Sequence, residues 1–376
     1  MAKLIELYVC LLNFFCGESI IAKSKYYIYI VISLLCILKI VINIKNIKIN
    51  IKNDLVIRYI IFIVITLLSN VCFYYEGINT IIDPYIRLIL LLPILIYIYL
   101  DKNIDFIQSL IKYSFIINII GILEIIKDIN NFGRIKACFS HPNFYAFYLV
   151  ILFISIIYSI EKKSIRRRTG ILYICINILL ILAAGSKTAL ISLAIVCLYR
   201  YRKYLLNKNL LVKILIILIS ITVIFLIYYN FKDDLVGLRT FNINYGLENN
   251  QINSFDWRLM NWKLKFIDWK ESWFGIFFGY GWGSEVLYGI KGSPMHNEYL
   301  RILFNTGIVG MIAIINISFL IHKKINSILL ESEKRFFISI ILIIIVGSLS
   351  ENLFVAVETT NLFLALIFSI RRYTSN

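Results

Sequence analysis

Long apolar blocks run along this chain, and short polar or basic segments separate them. A bilayer core takes about 20 apolar residues per helix, and only helices and closed barrels can span lipid. The period-2 alternation typical of barrel strands is absent from the sequence. The pattern predicts an all-α, polytopic helical membrane protein with about 12 transmembrane helices, at 4–20, 26–44, 55–75, 84–100, 106–126, 143–160, 170–184, 187–200, 210–230, 297–321, 335–350 and 353–370.

One polar interruption is much longer than the others. It separates a membrane domain at 1–230, with spans 1–9, from a second membrane domain at 297–376, with spans 10–12 and a short cytoplasmic tail. The loop between them, 231–296, is predicted to be extracytoplasmic. It contains all five tryptophans of the chain, which are Trp257, Trp262, Trp269, Trp273 and Trp282.

Residues 254–273 of this loop have helical periodicity. One side of the predicted helix carries the apolar residues Leu259, Trp262, Phe266, Trp269 and Trp273. Tryptophan prefers the headgroup level of a bilayer, so the segment is predicted to be an amphipathic interfacial helix. A helix that only rests on the membrane, with no chemical role, is the simpler alternative.

The composition supports a membrane location, and the positions of the basic residues explain the positive net charge. Hydrophobic residues make up 60% of the chain, the mean hydropathy is +0.81, and the formal net charge is +17. The main basic clusters lie in the short loops 45–54, 161–169, 201–209 and 322–334 and in the C-terminal tail. Cytoplasmic loops carry such an excess, so both termini are predicted to be cytoplasmic. The charge thus orients the protein, and no nucleic-acid partner is expected.

His296 is the strongest candidate for chemistry. It is one of three histidines and lies where the long loop ends and the next apolar run begins. The N-terminus of a helix attracts anions and disfavours a protonated imidazole. A neutral His296 beside a lipid phosphate could therefore act as a base, with Asn297 orienting it. A boundary histidine that only caps the helix or contacts headgroups is the alternative.

Arg134 lies just before a second outer boundary, at His141-Pro142-Asn143. Proline fits the first turn of a helix, so part of this motif is ordinary helix punctuation. The planar fork of an arginine can hold a diphosphate. Further predicted outer-face cations that could converge with it are Arg258, Lys187 and Arg87; each could instead be a headgroup contact.

Several other kinds of site lack support in the sequence. No His-Glu-x-x-His or carboxylate cluster has metal-ligand spacing, and Gly-x-Ser-x-Gly is missing. The glycines at 279, 281 and 283 are not preceded by a strand, so they do not form a dinucleotide fingerprint. They are predicted to form a tight turn.

The C-terminal motifs resemble those of the bacterial O-antigen polymerase and O-antigen ligase family of integral-membrane glycosyltransferases. The similarity is carried by Arg258-x3-Trp262, Gly279-x-Gly281-x-Gly283, His296-Asn297-x-Tyr299-Leu300 and Gly307-x2-Gly310. Weaker upstream similarities are Phe139-x-His141-Pro142-Asn143 and Gly185-Ser186-Lys187-Thr188-Ala189-Leu190. Many members have Arg where Lys187 stands.

The resemblance implies a donor glycan on undecaprenyl diphosphate, with no metal and no cofactor. It implies that His296 deprotonates the acceptor hydroxyl and that arginines hold the leaving diphosphate. The residue-level reasoning and the resemblance together give the candidate roles: His296 and Arg258 as catalytic; Arg134, Arg258, Lys187 and Arg87 as diphosphate-binding; and Asn297, His141, Asn143 and Trp262 as supporting.

These observations lead us to expect a repeat-unit polymerase for a capsule or O-antigen polysaccharide. It would lie in the bacterial cytoplasmic (inner) membrane, contact the lipid bilayer and act on the extracytoplasmic side, with flippase and chain-length regulator proteins as further partners. An O-antigen ligase with a lipid A-core acceptor has the same donor chemistry and stays open. A non-enzymatic transporter or flippase is the alternative from another class; transporters usually place ionisable residues near the bilayer midplane.

Overall fold

The fold is described here from a computed structural model. It covers residues 1–15, 20–42, 55–72, 78–127, 133–206, 254–290 and 292–374. The predicted span 210–230 and loop residues 231–253 lie outside these ranges. The described ranges form thirteen α-helices and no strand: α1 Ala2–Cys10, α2 Ile20–Ile42, α3 Leu55–Cys72, α4 Ile78–Leu100, α5 Phe106–Lys127, α6 Pro142–Glu161, α7 Arg167–Ala184, α8 Lys187–Leu206, α9 Ser254–Lys270, α10 Trp273–Phe278, α11 Glu298–Asn326, α12 Glu331–Ser348 and α13 Val357–Phe368.

Four of the described helices are long and apolar enough, by length and composition, to cross a membrane. They are α5, α6, α7 and α11. Shorter apolar segments occur at Tyr27–Ile42, Leu55–Val71 and Tyr85–Leu100. The predicted helical class is therefore confirmed for the described residues, and these four helices support a membrane location.

Helix α6 is the centre of the bundle. In its apolar window 89% of the residues are buried inside the protein, against 28 to 33% in the other three candidate spans. A helix that is hydrophobic all round is buried, and the run from Tyr145 to Tyr158 has that composition. It packs against α5, α7, α8, α12 and α13. The N-terminus of α6, with Asn143 in its first turn, is therefore held rigidly by its surroundings.

The first and last predicted spans are wrong in extent. Helix α1 ends at Cys10, and a short 3-10 turn, Leu12–Phe14, follows it. At 1.5 Å per residue, its nine residues cover only about 14 Å. Asn13 explains the break, because its buried side chain donates to the Glu358 carbonyl. Helix α13 has twelve residues, and a 3-10 helix, Ser369–Arg372, continues it.

The glycine-rich turn after α10 inserts between α3 and α11. The backbone N–H of Gly281 donates to the Asn305 carbonyl at 3.0 Å and to the Ser69 hydroxyl at 2.9 Å. Gly307, inside α11, has φ +64° and breaks the helical geometry there. A Cβ on Gly279 would lie 2.2 Å from backbone atoms of Asn305 and Thr306. The predicted tight turn thus exists, and its glycines allow two backbones to touch.

The predicted apolar stripe of helix α9 does not form one continuous face in the structure. Trp269 is buried against Tyr280, Met295 and Phe304, whereas Trp273 belongs to the next helix and is 79% exposed. The polar residues Asn261 and Lys265 of α9 are completely buried. The periodicity missed this arrangement because residues 285–290 and 292–295 pack on a side of the helix that has polar residues.

Candidate functional site

The site is organised by the turn Ser350–Asn352, which connects α12 to α13. The Thr188 hydroxyl, in the first turn of α8, lies 2.6 Å from that of Ser350. Arg258 of α9 donates to the Ser350 carbonyl at 2.8 Å. The backbone N–H of Asn297, at the start of α11, donates to the Asn352 side chain at 3.0 Å. Elements far apart in the sequence therefore meet at one three-residue turn.

Glu351 is the central charged residue of this turn. Its side chain is 6% exposed. Its carboxylate accepts a hydrogen bond from the Asn143 amide at 2.5 Å, lies 3.5 Å from the Arg258 guanidinium, and lies 3.8 Å from His296 Nδ1. Burial acts to raise the pKa of Glu351, but the contact with His296 and the positive charge of Arg258 outweigh it, so the pKa is lowered. The carboxylate is therefore ionised at neutral pH.

Arg134 joins the same network from the other side. Its Nε donates to the Ala184 carbonyl at 2.9 Å, and its Nη2 donates to the Asn143 side-chain oxygen at 2.5 Å. Gly185 follows with φ +60° and ends α7. A Cβ at that position would lie 3.2 Å from Arg134 Nε. The glycine thus lets the guanidinium approach the end of α7 closely.

Asn143 is the bridge between the two arginine-containing halves. Its side-chain oxygen accepts from Arg134, and its side-chain nitrogen donates to Glu351. Glu351 in turn contacts Arg258 and His296. The structure therefore brings together four of the predicted site residues, namely Arg134, Asn143, Arg258 and His296.

His296 has a constrained backbone. Its φ is +49°, in the left-handed region that non-glycine residues rarely adopt. Asn297 after it caps α11, because its side chain accepts from the Leu300 N–H and donates to the Leu349 carbonyl. The indole of Trp257 lies edge-on to the imidazole, with ring centroids 6.0 Å apart. Backbone strain of this kind clusters at functional sites.

The orientation of His296 suits proton transfer. Its Nδ1 is the ring atom facing Glu351. A carboxylate favours the Nδ1–H tautomer, which leaves Nε2 as the basic atom. The side chain is 29% exposed, so a substrate hydroxyl can reach it.

His141 has a different role from His296. Its Nδ1 accepts a hydrogen bond from the Asn143 backbone N–H at 3.1 Å, so it caps α6. Desolvation lowers the pKa of His141, and the positive charge of Arg134 adds to this against the opposing charge of Glu351. The ring is therefore neutral at neutral pH. It supports the position of Asn143.

The structure places the other predicted residues at varying distances from the turn. Lys187 begins α8, beside the Thr188 that contacts Ser350. Trp262 donates from its indole nitrogen to the Met295 carbonyl, just before His296. Arg87, by contrast, lies in α4 and lines a cavity of about 130 Å³ with Trp282, Glu285 and Arg301.

The expected convergence of Arg87 with Arg134 is therefore not seen. Neither Arg134, Arg258 nor His296 lines the Arg87 cavity. The expectation rested only on the predicted outer position of each cation, which does not determine which side of the bundle a residue faces.

Glu351 and Asn352 were missed as site residues. The signal that could have found them is the polar triplet Ser350-Glu351-Asn352 between two apolar runs. A buried carboxylate in such a turn needs partners, and the predicted outer arginines and His296 were available.

The assembled groups can bind an anion and accept a proton. Arg134 and Arg258 carry two positive charges, and Glu351 carries one negative charge. The three side chains together therefore have an excess of positive charge. Guanidinium groups bind phosphate oxygens in a fork geometry. Among the described residues, no group of three or more His, Cys, Asp or Glu side chains could hold a metal ion.

One family model matches part of the chain. Residues 171–315 match a family model described as O-antigen ligase. The matched segment contains Lys187, Arg258 and His296, whereas Arg134, Asn143 and Glu351 lie outside it. A search of curated proteins found no match. Together with the motifs at 258–310, this match shows that residues 171–315 are similar to the O-antigen ligase family.

Proposed function

We propose that this protein is a polysaccharide repeat-unit polymerase of the capsule or O-antigen type. It transfers a glycan from undecaprenyl diphosphate to a hydroxyl group of a second lipid-linked glycan. The observation that carries the proposal is the network in which Asn143 and Glu351 connect Arg134, Arg258 and His296. An anion-binding pair next to a base is what this transfer requires.

The proposed step is a substitution at the anomeric carbon of the donor. Nε2 of His296 takes the proton of the acceptor hydroxyl while the acceptor oxygen forms a bond to that carbon. The bond from the carbon to the diphosphate oxygen breaks, and its electron pair leaves with the polyprenyl diphosphate. Glu351 stabilises the imidazolium that results.

Arg134 and Arg258 are the proposed diphosphate ligands, and Lys187 contributes a further positive charge at the start of α8. A leaving diphosphate stabilises its own charge, so positioning and cationic contacts supply the catalysis without a metal or another cofactor. The oriented guanidinium of Arg134, held by the Ala184 carbonyl and Asn143, costs little reorganisation when the charge develops.

The topology proposed with this function has twelve membrane segments, of which the first and last are shorter helices than the sequence predicted, and an extracytoplasmic loop at 231–296. The inner loops carry the basic clusters, so both termini lie in the cytoplasm and the turn Ser350–Asn352 lies outside. The protein then acts on the outer side of the bacterial inner membrane. A flippase would supply its lipid-linked substrate, and a chain-length regulator would act on its product.

An O-antigen ligase is the second candidate, and the description of the matching family model favours it. The donor chemistry is the same in both cases. Only the acceptor differs, since a ligase uses the lipid A-core and transfers the glycan once.

The test uses purified protein in lipid nanodiscs with a defined undecaprenyl-diphosphate-linked repeat unit. A polymerase gives a ladder of longer lipid-linked glycans and free undecaprenyl diphosphate. A ligase gives product only when a lipid A-core acceptor is added. Recovery of the repeat unit unchanged under both conditions would contradict both enzymatic candidates and leave transport as the alternative.

A further inference from the structure

The polar face of α9 holds the loop that leads to His296. Asn261, Lys265 and Asp268 are spaced so that they lie on one side of the helix. Asn261 and Lys265 are completely buried, although a helix in an exposed loop would normally keep such residues in solvent. Their side chains bind the backbone carbonyls of Glu285, Ser293 and Pro294.

Lys265 makes the central contacts. Its ammonium group donates to the Ser293 carbonyl at 2.6 Å and also to the Glu285 carbonyl. One side chain therefore connects both ends of the loop 285–293. A lysine has three donors and can satisfy both carbonyls; an apolar side chain would leave them buried without a partner.

The neighbouring residues of α9 hold the same segment. Asn261 donates to the Pro294 carbonyl at 3.1 Å, and Trp262 donates to that of Met295. Asp268 accepts from the Gly289 N–H at 2.8 Å. The carbonyls of residues 293, 294 and 295 are thus each bound by a side chain of α9, immediately before His296.

His296 is held equally firmly on its other side. The N–H of Asn297 donates to Asn352, and the Asn297 side chain donates to the Leu349 carbonyl. The left-handed backbone of His296 lies between these two sets of bonds. Such strain persists only where the surrounding structure enforces it.

From this geometry we propose that Lys265 is a positioning residue for the transfer reaction, which acts by holding the backbone at Glu285 and Ser293 so that His296 keeps its strained backbone and faces Glu351. The inference rests on the proposed role of His296 as the base. Lys265 itself is buried and touches no reacting atom. Loss of its bonds would let His296 relax toward an ordinary backbone conformation and move its ring.

The expected effect falls on the transfer rate. A misplacement of about 1 Å can cost about 100-fold in rate, so the variant Lys265→Met is expected to lower kcat by about 10- to 100-fold. The KM for the donor should change less than about threefold, because Arg134 and its contacts are untouched. Met fills the same space, so the change removes hydrogen bonds more than packing.

The test compares four proteins in nanodiscs with the defined lipid-linked repeat unit: wild type, Lys265→Met, Lys265→Arg and the control Lys263→Met. Lys263 lies on the exposed side of the same helix, so its replacement should leave kcat near the wild-type value. Lys265→Arg restores donors for the two carbonyls and should recover part of the lost kcat. A purely space-filling role predicts the opposite order, with Met better tolerated than Arg.

The proposal is overturned if Lys265→Met keeps wild-type kcat, or if it raises KM with kcat unchanged. If Lys265→Met fails to fold, Asn261→Ala replaces it in the test, because that variant removes only the bonds of Asn261. Its kcat is also expected to fall, but by a smaller factor. Unfolding of both variants would also reject the positioning role. Different results would contradict the proposed function itself: a wild-type protein that forms no transfer product, or a His296→Ala variant that transfers at the wild-type rate.

Discussion

The side-chain amide of Asn143 donates a hydrogen bond of 2.5 Å to the carboxylate of Glu351, 208 residues later in the chain. This contact joins the start of α6, the central helix, to the turn between α12 and α13. Arg134 is bound to the other end of the same amide, and Arg258 and His296 lie at the same carboxylate. The predictions below depend on that connection.

Glu351→Gln should lower the rate of transfer, although it hardly changes the size of the side chain. The amide has nearly the shape of the carboxylate but lacks the charge that faces Arg258 and His296. We expect kcat to fall by about 10- to 100-fold, on the order of 1.4 to 2.7 kcal/mol in the barrier. Transfer to the lipid-linked acceptor measures it. Glu331→Gln, at the start of α12, is the control and should have wild-type activity.

Arg134→Lys should lose activity although the charge is conserved. The guanidinium donates to the Ala184 carbonyl and to Asn143 through different nitrogens, and an ammonium group cannot reproduce that planar geometry. A rise in the donor KM of about tenfold or more is expected, measured by initial rates over a range of donor concentrations. Lys136→Arg, at an exposed position nearby, should change neither constant; equal activity of the two variants would exclude Arg134 as a diphosphate ligand.

Gly279→Ala should destabilise the protein much more than Gly292→Ala. Both glycines have positive φ, +76° and +78°, so both substitutions carry the left-handed strain of about 1–2 kcal/mol. Only at Gly279 would the new Cβ also meet the backbone of α11, at 2.2 Å, whereas nothing lies within 4 Å of one at Gly292. Thermal unfolding in detergent compares the two variants. Equal melting temperatures would show that α10 and α11 do not pack through this contact.

The buried ammonium of Lys265 gives a pH dependence of stability. Burial lowers its pKa to about 8, against the opposing charges of Glu285 and Asp268. Its pKa in the unfolded chain is near the ordinary 10.5, so between about pH 8 and pH 10 the unfolded state binds more protons than the folded state. Stability contributed at this position then rises with pH over that range.

Measurement of this effect requires a difference between two proteins, because other groups titrate in the same range. The melting temperature of wild type minus that of Lys265→Met should increase from pH 8 to pH 10. Lys263→Met, at an exposed position of the same helix, is the control for the loss of a lysine from α9. A decrease with pH would contradict a buried Lys265 with a lowered pKa.

Sequence alone predicted the helical class and most helix positions, because lipid leaves the backbone few alternatives. It also selected Arg134, Asn143, Arg258 and His296, which the structure brings to one turn. The sequence did not predict where α1 ends, because the break after it depends on the hydrogen bond from Asn13 to the Glu358 carbonyl across the fold. Glu351 was missed for the same reason, because its role depends on partners from three other elements.

The buried face of α9 shows a further limit. Periodicity of apolar residues selected Trp262, Trp269 and Trp273 as one stripe, yet Asn261 and Lys265 are the residues without exposure. Their burial is stabilised by the backbone carbonyls of Glu285, Ser293 and Pro294. The hydropathy of a sequence does not indicate where such carbonyls lie. Polar contacts to backbone can therefore reverse which face of a helix is buried.

The most direct test of the account is the transfer activity of His296→Ala in purified protein, with His322→Ala as the control. His322 is at the cytoplasmic end of α11 in the proposed topology and contacts Asn326. General-base catalysis contributes about 100- to 10,000-fold, so we predict a loss of that size for His296→Ala, with the melting temperature and donor binding retained, and wild-type ladders for His322→Ala. A His296→Ala protein that is folded and makes wild-type ladders at the wild-type rate would contradict the account.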